Sequence, residues 1–307
     1  RALGTGMVIS VDSPIDDKVR SAMESLIEDY EHVLSRFRND SLIAAIGKAE
    51  HGGSFDFPDW CAPLFDLYDA LFSATSGAID PCVGEDLIRL GYDASLSFTV
   101  TQDAPEHLGA LRGRAVWGRD VTRHGTTLVT HEPVQLDFGA CGKGYLVDLL
   151  GRMLQSSQFV IDAGGDLLIH AEQPISVALE DPEDQSHAIG IAHIANGALC
   201  ASAPSRRHWN VAVNERTQIA IHHLLNAIDG LPAQQTEASW AYVPANATLN
   251  LARDYPTAVA DGLATALFVS DVAQLQRTFD FTYATLDESR QIAVSRNFPA
   301  DLFLRSA

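Results

Sequence analysis

Apolar side chains recur at three- and four-residue steps from Val19 through Met23, Leu26, Ile27, Tyr30, Val33 and Leu34 to Phe37, predicting a helix over residues 15–37 that starts at Pro14. A second stripe, Trp60, Leu64, Leu67, Tyr68, Leu71 and Phe72, predicts a helix from Pro58, with Gly77 placed to end it in the left-handed region. Beyond residue 158 the texture changes to short β-prone runs at 159–162, 166–171, 175–179, 189–194, 209–213 and 219–225, separated by Gly, Asn, Asp and Pro. That pattern predicts a largely antiparallel sheet, with tight turns at Gly164-Gly165-Asp166 and at Asn196-Gly197. A helix over 258–269, a short helix reaching residue 279, and a hairpin of 281–286 with 291–295 close the chain. No internal repeat or low-complexity linker interrupts it, and the class is α+β.

The chain has 307 residues and a formal net charge of −19, which repels nucleic acid and anionic membrane and excludes both as expected partners. Wherever so acidic a chain binds an anion, it needs a local cation. Cys61, Cys82, Cys141 and Cys200 are scattered, without C-x-x-C or zinc-ligand spacing, and read as buried thiols. No apolar run reaches the length of a membrane span. The chain opens at Arg1 rather than Met, so an upstream segment is expected to have been removed; neither a signal segment nor a lipobox cysteine lies within it, and compartment stays open.

Residues 135–145 carry the strongest chemical signal: Gln-Leu-Asp-Phe-Gly-Ala-Cys-Gly-Lys-Gly-Tyr. An apolar lead-in ends at Asp137. Gly139, Gly142 and Gly144 then bracket Lys143 before an amphipathic run to Leu154, which reads as strand, tight loop and helix start. Backbone N–H groups and a lysine at a helix start suit a phosphorylated ligand. The spacing is not that of a P-loop, because only Ala140 and Cys141 separate Gly139 from Gly142, and Gly144 follows the lysine. By themselves these residues fit either a phosphate cradle or a glycine-rich turn with a solvated lysine.

This segment resembles the core signature of the ApbE family of FAD:protein FMN transferases. Further blocks resemble the family in the same order: Leu3-Gly4-Thr5; Leu34 to Ser41; Ser76-Gly77-Ala78-Ile79-Asp80-Pro81 with Val83-Gly84; Asp162 to Asp166; His222-His223 with Gly230 and Pro232; and Ala260 to Phe268. The resemblance implies an ApbE-like, T-fold-like, two-lobed architecture of antiparallel sheets and packed helices. It also implies one flavin-transferase domain over 1–307, with lobes of roughly 1–130 and 131–307.

The implied reaction cleaves FAD and attaches FMN through a phosphoester to Ser or Thr of an acceptor flavoprotein, releasing AMP. Mg²⁺ is the implied cofactor and FAD the substrate. Asp261 and Thr265 are four apart on the late helix, so their oxygens project from one face and can share a cation; alternatively Asp261 is a dipole-stabilised helix residue and Thr265 an ordinary buried one. The resemblance adds the carbonyl of Ala140 to that metal set. It assigns flavin contacts to Leu3, Phe37, Ala78, Ile79, Asp80, Asp137, Lys143 and Leu224, although Phe37 also continues the first helix's apolar stripe. His223 aligns with the family histidine and is the expected base, its pKa lying near neutral; His222 would face the opposite way on a strand.

Where the family has Ile-Ile-Asp-Pro-x-Thr-Gly after the histidine, this chain has Leu224-Leu225-Asn226-Ala227-Ile228-Asp229-Gly230. Ala201-Ser202-Ala203 replaces a Thr-Ser-Gly element before Arg206 and Arg207. Those departures keep two alternatives open: an FAD pyrophosphatase yielding FMN and AMP, and a non-catalytic FAD-binding protein.

Overall fold

Asp166–Glu180 and Ala188–Ser202 are the longest strands, and they pair antiparallel at the centre of an eight-stranded sheet. Its order is Val8–Val11, Phe159–Asp162, Asp166–Glu180, Ala188–Ser202, Thr236–Pro244, Thr282–Asp287, Ile292–Val294, with Ala300–Leu302 also paired to Ala188–Ser202. The computed structural model describes residues 3–214 and 217–303. These divide into two units, and the sheet belongs to the first, made of Arg1–Ile27, Ala140–Ser205 and Gln234–Ala307. Alternating inward residues, among them Ile169, Leu179, Ile194, Leu199, Trp240 and Leu286, form its apolar core.

Two helices of the same unit, Gly142–Gly151 and Pro256–Ala266, pack against each other and the sheet. Nearly every residue of the second is buried, and most are Ala, Gly or Thr, so its backbone comes close to its neighbours. Gly144 faces the Thr257 carbonyl so tightly that a Cβ would collide with it. The start of Pro256–Ala266 has no side-chain cap of its own. Buried Asp148, on the other helix, accepts from Thr257 N at 3.1 Å and Ala258 N at 2.8 Å and satisfies those exposed donors instead.

The second unit comprises Glu28–Gly139 and Arg206–Ala233. Its helix Ala62–Ala74 is preceded by a 3₁₀ turn at Asp59–Cys61 and closed by a bond from Gly77 N to Phe72 O, with Gly77 at φ +88° as expected. Phe65 of that helix contacts Phe57 and Phe138 with ring centroids 5.1 and 5.6 Å apart. A three-stranded sheet of Gly53–Asp56, Thr127–Thr130 and Val121–His124 and the hairpin His208–Asn214 with Thr217–His222 complete the main elements.

Several elements differ from the sequence reading, each for a physical reason. The first helix spans Asp17–Leu34, so Phe37 lies past its end and is 43% exposed rather than part of the buried stripe. The runs at 166–171 and 175–179 form one strand with a register shift between His170 and Ile175. Asn196-Gly197 is not a turn: it lies inside Ala188–Ser202, where Gly197 at φ +132° lets Val243 and Pro244 of the adjoining strand come close. Residues 134–138 alternate buried and half-buried without a sheet partner, so the lead-in to the glycine segment is extended chain rather than a strand. Gly164 and Gly165, at φ +70° and +107°, do form the expected turn, with Asp162 Oδ1 accepting both of their N–H groups.

Candidate functional site

The glycine-bracketed turn and the late helix meet within the first unit. Gly144 N, in the first turn of Gly142–Gly151, donates to Asp261 Oδ2 at 3.0 Å, so a carboxylate of the chain itself takes the anion position at this helix start. One turn further along Pro256–Ala266, the Thr265 hydroxyl lies 3.4 Å from the Ala140 carbonyl oxygen and 3.5 Å from Ser202 Oγ. Asp261 and Thr265 thus lie one turn apart on this helix, with the Thr265 hydroxyl beside the Ala140 carbonyl.

Lys143 is ion-paired within the chain rather than directed at an empty cradle. Its Nζ lies 2.5 Å from Asp166 Oδ2 and 3.0 Å from Asp261 Oδ1, and one third of the side chain is exposed. Burial alone would lower the Lys143 pKa, but the charges of Asp166 and Asp261 outweigh it and raise it, keeping the ammonium protonated. Burial, then repulsion from Asp166, push Asp261 up to about 7 against the pull of Lys143. Asp166 Oδ1 is buried and, among the described residues, has no hydrogen-bond partner.

Two buried carboxylates therefore share one ammonium, leaving a surplus negative charge beside a carbonyl and a hydroxyl. That donor set fits a hard divalent cation such as Mg²⁺. Among the described residues no group of three or more His, Cys, Asp or Glu side chains is arranged to hold a metal alone. A cation here would complete its shell with water or ligand oxygens.

The second unit holds most of the positions expected to touch a flavin. Phe37 presents an exposed ring edge-on to Tyr92 at 5.4 Å, and the Arg36 guanidinium lies over both rings, 4.2 and 4.6 Å from their centroids. Arg36 Nε also donates to Asp137, whose other oxygen accepts from Gly139 N at 2.6 Å. The Asp137 amide bonds to Pro81 O at 2.7 Å, tying the glycine segment to the Ala78-Ile79-Asp80 loop.

Asp80 itself is buried. It caps the turn at Cys82 N at 2.8 Å and lies 3.5 Å from Arg114, which also pairs with Asp86 at 2.8 Å. Burial raises the Asp80 pKa and Arg114 opposes the shift. The carboxylate holds the loop in place. Leu224 is buried, and Leu3, in the first unit, is half-buried at φ +51°.

The strand ends at His222, so His223 lies beyond it and the expected alternation does not apply. His222 Nε2 donates to Ala233 O at 2.9 Å while its Nδ1 accepts from Leu224 N at 3.3 Å, and burial lowers its pKa, so this ring is neutral and structural. His223 Nδ1 lies 3.1 Å from the Arg207 carbonyl, which can only accept, so Nδ1 carries the proton and Nε2 the basic lone pair. Asn226 Oδ1 accepts from Ile228 N at 3.0 Å, a turn-forming role that an Asp would fill equally.

Ala140, Lys143, Asp261 and Thr265 come together in the first unit, which also contains Leu3, while Phe37, Ala78, Ile79, Asp80, Asp137, His223 and Leu224 belong to the second. Sequence reasoning missed Asp166, dismissed as a hairpin residue, and Arg36, one position before Phe37. Ion-pair accounting could have found the first, since a lysine in a buried loop requires carboxylates. All four cysteines are buried, and burial raises the pKa of Cys61, Cys82 and Cys200, so these thiols act as packing.

Comparison with known proteins gives a family and a fold. The ApbE family profile matches residues 3–285. The FAD:protein FMN transferase of Klebsiella pneumoniae (strain 342) is 23% identical over 274 residues, covering 85% of this chain and 74% of the relative. That of Treponema pallidum (strain Nichols) is 27% identical over 286 residues, covering 82% and 72%. Among solved structures, the ApbE protein of Thermotoga maritima MSB8 superposes with a TM-score of 0.78 at 19% identity, covering 98% of each chain. The flavin transferase ApbE of Vibrio cholerae gives 0.76 at 18%, covering 97% of this chain and 96% of its own. At those identities the superpositions establish the α+β ApbE fold. Among the described residues, no helix is long and apolar enough to cross a membrane.

Proposed function

Because the chain belongs to the ApbE family, we propose that it is an FAD:protein FMN transferase, acting as one domain, which cleaves FAD and joins FMN to a Ser or Thr hydroxyl of an acceptor protein with release of AMP. The observation that supports this reading is the bond from Gly144 N to Asp261 Oδ2, which, with the Lys143–Asp261 contact, joins the glycine segment to the helix that carries Thr265. Mg²⁺ held by Ala140, Asp261 and Thr265 would supply Lewis-acid neutralisation of the diphosphate.

Lys143 contributes a fixed positive charge for phosphate oxygens. His223, with Nε2 as its basic nitrogen, takes the proton of the attacking hydroxyl as the oxygen–phosphorus bond forms and the anhydride bond to AMP breaks. Phe37 offers its exposed face to the ring system, and Arg36 holds it there. Asp137, Leu3, Leu224 and the Ala78-Ile79-Asp80 loop complete the flavin contacts. Asn226 supports its own turn, so replacing the family's Asp at this position does not by itself favour hydrolysis over transfer.

The test is incubation with FAD, Mg²⁺ and a protein bearing an Asp-Gly-x-Ser/Thr-like acceptor, followed by mass measurement of the protein and identification of the nucleotides. Acceptor mass increased by one FMN, with AMP released, is the expected result. Free FMN with unmodified acceptor would replace the proposal with a pyrophosphatase, and unchanged bound FAD with a binding protein.

A further inference from the structure

The proposed cation set contains a conflict that Asp166 resolves. Asp261 Oδ2 is engaged by the Gly144 N–H, so Oδ1 is the oxygen Asp261 has to offer a cation. That same oxygen is contacted by the Lys143 ammonium at 3.0 Å. An ammonium and a divalent cation on one carboxylate oxygen repel each other, and Lys143 must yield before Asp261 can ligate fully.

Asp166 supplies the place to which it yields. Its Oδ2 already holds the ammonium at 2.5 Å, closer than Asp261 does. Its buried Oδ1 has no hydrogen-bond partner among the described residues, and an ammonium has three donors. When Lys143 gives up Asp261 Oδ1, Asp166 Oδ1 can take the released N–H, so one bond is lost and one gained. The strand holds Asp166 rigidly: it is the first residue of Asp166–Glu180, in register with Cys200, and follows the turn that Asp162 caps.

We propose that Asp166 is a positioning residue that anchors Lys143, allowing Lys143 to remain beside Asp261 while Asp261 Oδ1 passes to a divalent cation. The inference rests on the transferase reading above, with its cation at Ala140, Asp261 and Thr265. Asp166 acts only through Lys143, which distinguishes it from a ligand and from a distant attractive charge.

The experiment measures FAD binding by flavin fluorescence, without acceptor, as a function of Mg²⁺ in wild type, Asp166→Asn, Lys143→Met and the double variant. Asp166→Asn is expected to raise the half-saturating Mg²⁺ concentration by about tenfold or more, because Lys143 then holds on to Asp261. In the Lys143→Met background the same substitution is expected to have an effect smaller by about fivefold or more, a non-additivity that reports coupling between the two residues. Equal effects in both backgrounds would mean that Asp166 acts as a ligand or by its charge alone, overturning the proposal. No effect in either would overturn it as well.

Wild-type FAD binding that ignores Mg²⁺ would overturn the cation reading itself, which separates that failure from failure of the Asp166 role. If Asp166→Asn does not fold, Asp166→Glu replaces it, keeping the charge but displacing it by one methylene. Half-saturation raised there, and restored toward the Lys143→Met value in the double variant, supports the anchor, and unchanged half-saturation refutes it.

Discussion

Replacing Asp261 by Asn should abolish Mg²⁺-dependent transfer while leaving the fold almost intact. The side chain is buried and serves two donors, Gly144 N and Lys143 Nζ, each at 3.0 Å. An amide has a single acceptor oxygen, so one of these bonds is lost. A hydrogen bond involving a charged group contributes about 1.5–3 kcal/mol. Lys143 keeps Asp166 at 2.5 Å and so is not left as an unpaired buried charge, which would otherwise cost about 3–5 kcal/mol. Relief of the repulsion between Asp166 and Asp261 offsets part of the loss, and a net cost of about 1–2 kcal/mol remains.

At about 2.1 cal/mol/K per residue, a chain of 307 residues has an unfolding entropy near 0.6 kcal/mol/K, so Tm should fall by only about 2–3 °C. Wild type with FAD and Mg²⁺ at about a hundredfold above Kd should gain about 2.7 kcal/mol, or roughly 4 °C, whereas Asp261→Asn should gain almost none from Mg²⁺. Thermal melts with and without Mg²⁺, together with the acceptor mass assay, read both effects. Mg²⁺-dependent transfer within about threefold of wild type would remove Asp261 from the cation set, and a loss of Tm above about 10 °C would make its role structural.

His223→Ala should keep FAD affinity within about a few-fold while turnover falls by about 10²–10⁴, and an unchanged rate in single-turnover assays would exclude it as the base. Gly144→Ala drives a methyl into the Thr257 carbonyl and should cost about 1–3 kcal/mol in a urea titration; an unshifted midpoint would mean that the two helices are not in tight contact. Arg114→Met strips Asp86 and Asp80 of their buried counter-charge and should cost about 3–5 kcal/mol, with part recovered by adding Asp86→Asn; no recovery would refute the ion pair as the cause. Burial pushes Asp148 from 3.8 up to about 7, so the folded state binds a proton that the unfolded state has lost. Its contribution to stability is therefore complete below about pH 4 and lost as pH rises towards about 7, and Asp148→Asn should flatten that part of the stability–pH curve.

What could be read in the chain was local. Apolar spacing located the helix Ala62–Ala74 and the hairpin of Thr282–Asp287 with Ile292–Val294, because one residue's periodic neighbours suffice to define them. Four-residue spacing likewise put Asp261 and Thr265 on one helix face. Partnerships across long stretches were not legible from spacing: only the family resemblance brought the glycine segment to the late helix, while the Lys143–Asp261 ion pair, 118 positions apart, and the Asp148 cap on a helix starting more than 100 residues later went unread. Nor does a glycine reveal whether it serves a turn or a close crossing, which is why Gly197 read as the first and proved to be the second.

Lys143 is the case in which the missing partners change the chemistry. Considered with its glycines alone, it makes the loop cationic and ready for phosphate. Joined by Asp166 and Asp261, it belongs to a cluster that reaches a net charge of −1 once both carboxylates are ionised, on a chain of net charge −19. Such a cluster repels a diphosphate as it stands and attracts one only after a divalent ion has reversed its sign. On the transferase reading, glycines that look like a phosphate cradle therefore form, with their two distant carboxylates, a seat whose first preference would be for a cation, and the nucleotide's affinity would follow from that occupancy.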